Sequence, residues 1–96
     1  MVGGLVKMHV KSGREQEFER LFGELNRETH AHERGCTVYT LMRSRLSPGV
    51  YLVHEQYADP PALAAHQTAP YTTRYFPQLR ELLERCEGEF FDILVD

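Results

Sequence analysis

Apolar residues recur along this chain with two different periods, and the switches between them mark out its elements. Leu5 to Val10 alternates, which places Val6, Met8 and Val10 on one face of a strand. Phe18, Leu21, Phe22 and Leu25 then repeat at i, i+3, i+4 and i+7, the stripe of an amphipathic helix. Ser12 and Glu15 have capping-box spacing at its start, and Gly35 is expected to stop it at the latest. Cys36 to Arg43, rich in Thr, Val and Tyr, reads as a second strand, and Ser47-Pro48-Gly49 as the turn into a third. That third strand alternates again: Tyr51, Val53, Glu55 and Tyr57 share one face, and Leu52, His54 and Gln56 the other.

Two helices are expected next. Asp59 reads as a cap followed by a proline at the first helical position, where a missing N–H costs nothing; because Pro60 precedes Pro61, the start can equally lie one residue later. Leu63 and His66 then lie three apart on one face, so if Leu63 anchors the helix on the sheet, His66 points inward with it. Pro70 breaks the pattern. A longer stripe of Tyr75, Phe76, Leu79, Leu82, Leu83 and Cys86 predicts a helix that begins near Thr72 or Thr73, which keeps Pro77 at the edge of its first turn, and closes at Gly88. Glu89 to Val95 is expected to be the last strand.

The resulting βαββαβ order predicts an α+β, ferredoxin-like antiparallel sheet with its helices on one face, in a single domain over residues 1–96. Helices on one face leave the other sheet face bare, with Phe91, Ile93 and Val95 on one side of the last strand and Phe90 and Leu94 on the other. A homodimer packing two sheets face to face is the simplest cover. Lys7, His9, His54 and Gln56 would share that face, opposite Glu55.

Composition narrows the partners. The chain has 96 residues, 42% of them hydrophobic, enough for one modest core that gains from a second subunit. A formal charge of −3, without a long basic run, argues against nucleic acid or an anionic membrane as partner. Cys36 and Cys86 form no CxxC pair and are expected to be buried, reduced thiols. No apolar run reaches the ~20 residues of a membrane span and the start is unlike a signal peptide, so a cytoplasmic location is expected. His30 and His32, two apart on a helix, do not share a face, and no metal site is expected.

The chemistry concentrates between Tyr51 and His66, where an acid, a phenol and an imidazole fall on adjoining elements. The run Glu55-x-Tyr57-x-Asp59-x-x-Ala62-Leu63-x-x-His66, with Glu33-Arg34-Gly35-Cys36 and Tyr39 before it, resembles the antibiotic biosynthesis monooxygenase family of dimeric α+β barrels, and within it the small bacterial quinol-monooxygenase-like proteins. The resemblance spans essentially the whole chain and implies that fold. The family holds cofactor-independent oxygenases, haem-degrading enzymes, isomerases of small carbonyl compounds and members of unknown activity, so the fold alone does not select a reaction. Family members commonly carry an aromatic residue where this chain has Tyr57 and a helix histidine where it has His66. Better-understood oxygenases also use a strand asparagine; Val6 and Val53 stand at those positions here, the only asparagine is Asn26, and there is no tryptophan.

A phenolic or enolic substrate must lose a proton before it can pass an electron to O₂ unaided, which calls for a base and a place to hold the anion. An imidazole is suited to that task near neutral pH, which makes His66 the candidate base. Tyr57 is the candidate donor to the oxyanion, and Glu55 the group that orients the imidazole or sets its charge. Tyr39, Val53, Tyr71, Tyr75 and Phe76 are the candidate substrate-binding walls. The expected activity is a cofactor-independent monooxygenase acting on a small aromatic or quinol compound, with no haem, flavin or metal. The same groups equally suit an isomerase or lyase of a small carbonyl metabolite, or a barrel that binds a ligand without turning it over.

Overall fold

A computed structural model describes all 96 residues. The chain runs β1 (Val2–Val10), α1 (Glu15–His32), β2 (Cys36–Arg43), β3 (Val50–Tyr57), α2 (Pro60–Thr68), α3 (Pro70–Glu81) and β4 (Leu83–Asp92). The four strands form one antiparallel sheet in the order β2-β3-β1-β4, the ferredoxin-like arrangement with β1 and β3 at the centre.

The register follows from which side chains must be dry. Val6 faces Val53 and Met8 faces Tyr51 across β1 and β3, so the alternating residues of both strands meet on one side of the sheet. On β3, Tyr51, Val53, Glu55 and Tyr57 are buried while the intervening residues are half exposed. Phe18, Phe22 and Leu25 of α1 close over that side with Leu79 of α3 and Leu82, and Phe18 lies against Tyr51 with ring centroids 4.9 Å apart. A one-residue slip of β3 would send Glu55 to the open face and bring His54 inward.

Three boundaries differ from the sequence pattern. First, Ser12 does not cap α1. Gly13 takes φ +85 and turns the chain, the helix begins at Glu15 without a side-chain cap, and Arg14 ion-pairs with Glu17 at 2.6 Å. Second, α3 begins at Pro70, directly after α2, so Pro77 lies inside the helix rather than in its first turn, and Thr73 loses its helical N–H partner there. Third, α3 ends at Glu81 and β4 runs from Leu83 to Asp92, so the last strand begins before the expected Glu89 and stops short of Val95. The Leu82-to-Cys86 stripe suits a helix as a local pattern, but the edge of β1 offers a ladder from Val2 to Val10, and β4 pairs along its whole length. Satisfying a central strand's backbone outweighs the few tenths of a kcal/mol per residue that helix propensity offers. Leu82 makes the corner: it is 2% exposed, its N–H bonds Leu79, and its carbonyl receives the Lys11 N–H at 2.8 Å. As a result Cys86, expected in the core, is exposed on β4, while Cys36 is half-buried; both are free thiols.

The opposite face of the sheet has no helix over it. It presents Leu5, Met42 and Phe91, each more than two-fifths exposed, around Lys7, His9, His54 and Gln56. No helix of the chain is long and apolar enough to cross a membrane.

Candidate active site

The site begins with the cap that places α2. Asp59 is extended, and its Oδ1 accepts the Ala62 N–H at 2.9 Å, with Pro60 at the first helical position. That fixes the helix phase and turns His66 inward to 6% exposure, against Tyr39 edge-on with centroids 4.9 Å apart and Tyr57 at 5.6 Å. The close approach of α2 to the loop before β2 depends on Gly35, where a Cβ would lie 2.6 Å from that of Ala62. This contact brings Glu33, the residue after α1, to the imidazole.

Glu33 is the group that the sequence pattern left without a role. Its carboxylate meets His66 Nδ1 at 2.9 and 3.1 Å and also accepts the Tyr71 hydroxyl. With side-chain exposures of 10% and 8%, Glu33 and His66 form a buried acid–imidazole pair. A carboxylate on Nδ1 favours the tautomer with its proton there, and in that neutral tautomer Nε2, which has no hydrogen bond within the protein, carries the free lone pair. Glu55, expected to orient the imidazole, does not bond it. It is 6% exposed and accepts the Tyr57 hydroxyl at 2.6 Å.

Tyr57 is therefore not free to meet a substrate. It is fully buried and its hydroxyl is committed to Glu55. Burial, then that hydrogen bond, drives its pKa far above the ordinary phenol range, and burial followed by the charge of Glu55 does the same to Tyr39. Neither phenol is a base. The Glu55 carboxyl is itself raised above its ordinary value, first by desolvation, with the Tyr57 bond and the nearby imidazole opposing. Burial and the neighbouring charges of Glu33 and Glu55 push the Cys36 thiol up to about 11.

His66 and Glu55 line a cavity of about 520 Å³ between the sheet and helices α2 and α3. Of the expected substrate walls, Tyr39, Val53 and Phe76 line it. Tyr71 and Tyr75 do not: their hydroxyls bond Glu33 and Glu24, the latter at 2.9 Å, and they tie α3 to the end and the middle of α1. Phe90 of β4, Phe22 of α1 and Arg80 and Thr72 of α3 complete walls that the sequence pattern did not single out. An open groove of about 680 Å³ lies beside Glu19, Arg43 and Tyr51, where Glu19 already receives the Tyr51 hydroxyl and Arg43. It holds no imidazole, and the smaller, more apolar cavity is the better place for chemistry. No three His, Cys, Asp or Glu side chains converge as metal ligands would.

An antiparallel βαββααβ sheet with an acid-held imidazole lining a cavity beneath its helices defines a small ferredoxin-like α+β protein. The family model for antibiotic biosynthesis monooxygenase matches residues 1–78, and the chain belongs to that family. Among solved structures it is similar to a "putative antibiotic biosynthesis monooxygenase" from Caulobacter crescentus CB15, 30% identical over 98% of this chain and 90% of that one, with a TM-score of 0.94. A conserved protein from Methanosarcina mazei Go1 is 27% identical over 94% and 89% of the two chains, with a TM-score of 0.89. A conserved protein from Bacteroides thetaiotaomicron VPI-5482, 23% identical over 96% of each chain, shares the fold with a TM-score of 0.88. A comparison with curated proteins gave no match.

Proposed function

We propose that this protein is a cofactor-independent monooxygenase acting on a small phenolic or quinol-type compound, and that it works as a homodimer. The observation that carries the reading is the Glu33–His66 pair, whose Nε2 has no hydrogen bond within the protein and whose imidazole lines the cavity.

Each group then has a task. Nε2 of His66 removes a proton from the substrate, and Glu33 stabilises the imidazolium that forms. Glu55, desolvated and inclined to its acid form, hydrogen-bonds the developing oxyanion, while Tyr57 holds it in place. The carbanion form of the substrate passes one electron to O₂, and the radical pair joins through carbon and oxygen to give a peroxide anion. That anion takes the proton back from His66. Loss of a second proton from the same carbon breaks the O–O bond and expels water, leaving a ring carbonyl. The sum is a CH₂ group and O₂ going to a carbonyl and water, with the organic substrate as the only reductant.

The dimer is supported by the bare sheet face, where Leu5, Met42 and Phe91 are exposed together. The naming of several similar structures after monooxygenases supports the reaction class. Oxygen-electrode measurements with a panel of naphthalenediols, anthrones and benzoquinols test the proposal: uptake above the uncatalysed rate, lost in His66→Gln, is expected. Turnover of a panel member without uptake favours an isomerase, and binding without turnover favours a ligand-binding barrel.

A further inference from the structure

Two polar groups that line the cavity, Thr72 and Arg80, are not used by the reaction above. Thr72 Oγ1 is buried without any hydrogen-bond partner, in a residue 6% exposed that lines the cavity. A buried hydroxyl without a partner is uncommon, because leaving it unpaired costs about 1–3 kcal/mol. Thr72 is the third residue of α3, which follows directly on α2 and its His66. Arg80 lies eight residues further along that helix, roughly 12 Å at 1.5 Å per residue. Its guanidinium sits 5.4 Å from the centroid of the Phe76 ring, and Arg80 takes part in none of the chain's salt bridges. Between Thr72 and Arg80 the apolar walls are Phe90, Val53 and Tyr39 on the sheet and Phe76 on α3.

We propose that the cavity takes a hydroxyaryl carboxylate, with its hydroxyl against His66 and Thr72, its rings between Phe76 and Phe90, and its carboxylate on Arg80. This rests on reading His66 as the end of the cavity where the hydroxyl is deprotonated. An uncommitted guanidinium at the far end selects an anion, and its planar fork suits a carboxylate. Arg80 is the one lysine or arginine lining the cavity, so a carboxylate bound the other way round would lie beside Glu55 without a guanidinium to pair it.

The test compares two fluorescent probes: a hydroxynaphthoate with its two groups on opposite rings, and naphthol, which lacks the carboxylate. Each is titrated against the whole protein at neutral pH. The wild type is expected to bind the acid at least about five-fold tighter than naphthol, a modest preference because Arg80 is partly solvated. Arg80→Gln should erase that preference with naphthol affinity unchanged, and Arg80→Lys should keep part of it. Thr72→Val should weaken both probes while leaving thermal stability equal or higher, since it removes an unpaired hydroxyl. Equal affinities in the wild type, a preference that survives Arg80→Gln, or no binding of either probe would overturn the proposal. If Arg80→Gln fails to fold, a salt series on the wild type decides: a preference unmoved by salt overturns it. Oxygen uptake is not measured here, so a protein that shows the preference and consumes no oxygen refutes the oxygenase reading alone.

Discussion

Replacing Glu33 by glutamine removes one charge and one acceptor from the centre of the site with almost no change of shape. The carboxylate accepts two donors, His66 Nδ1–H at 2.9 Å and the Tyr71 hydroxyl. A glutamine amide offers one acceptor oxygen, and its nitrogen must face one of the donors, so one of the two bonds is lost. With the His66 and Glu33 side chains 8% and 10% exposed, water cannot fully replace it. Leaving a buried donor unpaired costs about 1–3 kcal/mol, which for a chain of this size lowers Tm by roughly 4–20 °C. The catalytic loss is bounded from above: Glu33 acts through His66, so it cannot exceed the ~10²–10⁴ that His66→Gln removes. The double variant Glu33→Gln/His66→Gln should therefore turn over no more slowly than His66→Gln alone. Thermal melts with steady-state oxygen uptake on the four proteins of the cycle measure both quantities. Multiplying rate losses in the double variant, or an unchanged melt in Glu33→Gln, would refute the assignment of Glu33 to the imidazole.

Three further outcomes follow. Burial raises the Glu55 carboxyl, so the folded protein keeps that proton to higher pH than the unfolded chain; the resulting stabilisation is full below the ordinary glutamate value of about 4.3 and is lost as pH rises through the folded value. Glu55→Gln is thus expected to raise Tm at neutral pH and not near pH ~4, and a gain equal at both would contradict this. Gly35→Ala must push Ala62 from 2.6 Å and should destabilise by about 1–3 kcal/mol, with Ala62→Gly restoring much of the loss; a neutral single variant would show that α2 is not seated as described. Light scattering should find a dimer at micromolar concentration, with an interface above ~1,200 Å² in total, and Phe91→Asp should yield monomers; a wild-type monomer would defeat the open-face argument.

The parts of this structure that sequence could show are those in which local pattern and tertiary packing agree. The alternation of β3 and the Asp59–Pro60 start of α2 fixed the inward direction of Glu55, Tyr57 and His66, because strand parity and helix phase follow from spacing alone. The α3–β4 boundary could not be read that way, since Leu82, Leu83 and Cys86 fit a helical stripe until β1 supplies its edge. Glu33 was hidden for a related reason: it lies in a loop 33 residues from His66, and only the Gly35–Ala62 contact brings the two together. The glycine two residues after an acid at the end of α1 was the available signal. Tyr71 and Tyr75 look like wall residues in sequence because their rings fall near the cavity's helix, but their hydroxyls turn to acids on and beside α1. Arg80 and Thr72 gave no pattern at all; a cation and a hydroxyl on a helix usually face water.

In the proposed reaction the imidazole in this cavity starts the attack of the organic substrate on O₂. Supplying isotopically heavy dioxygen with any panel substrate that is consumed, and weighing the product by mass spectrometry, tests it directly. One heavy oxygen atom is expected in the product, formed by the wild type and not by His66→Gln. A product whose new oxygen comes from water, or a product isomeric with its substrate, would contradict it.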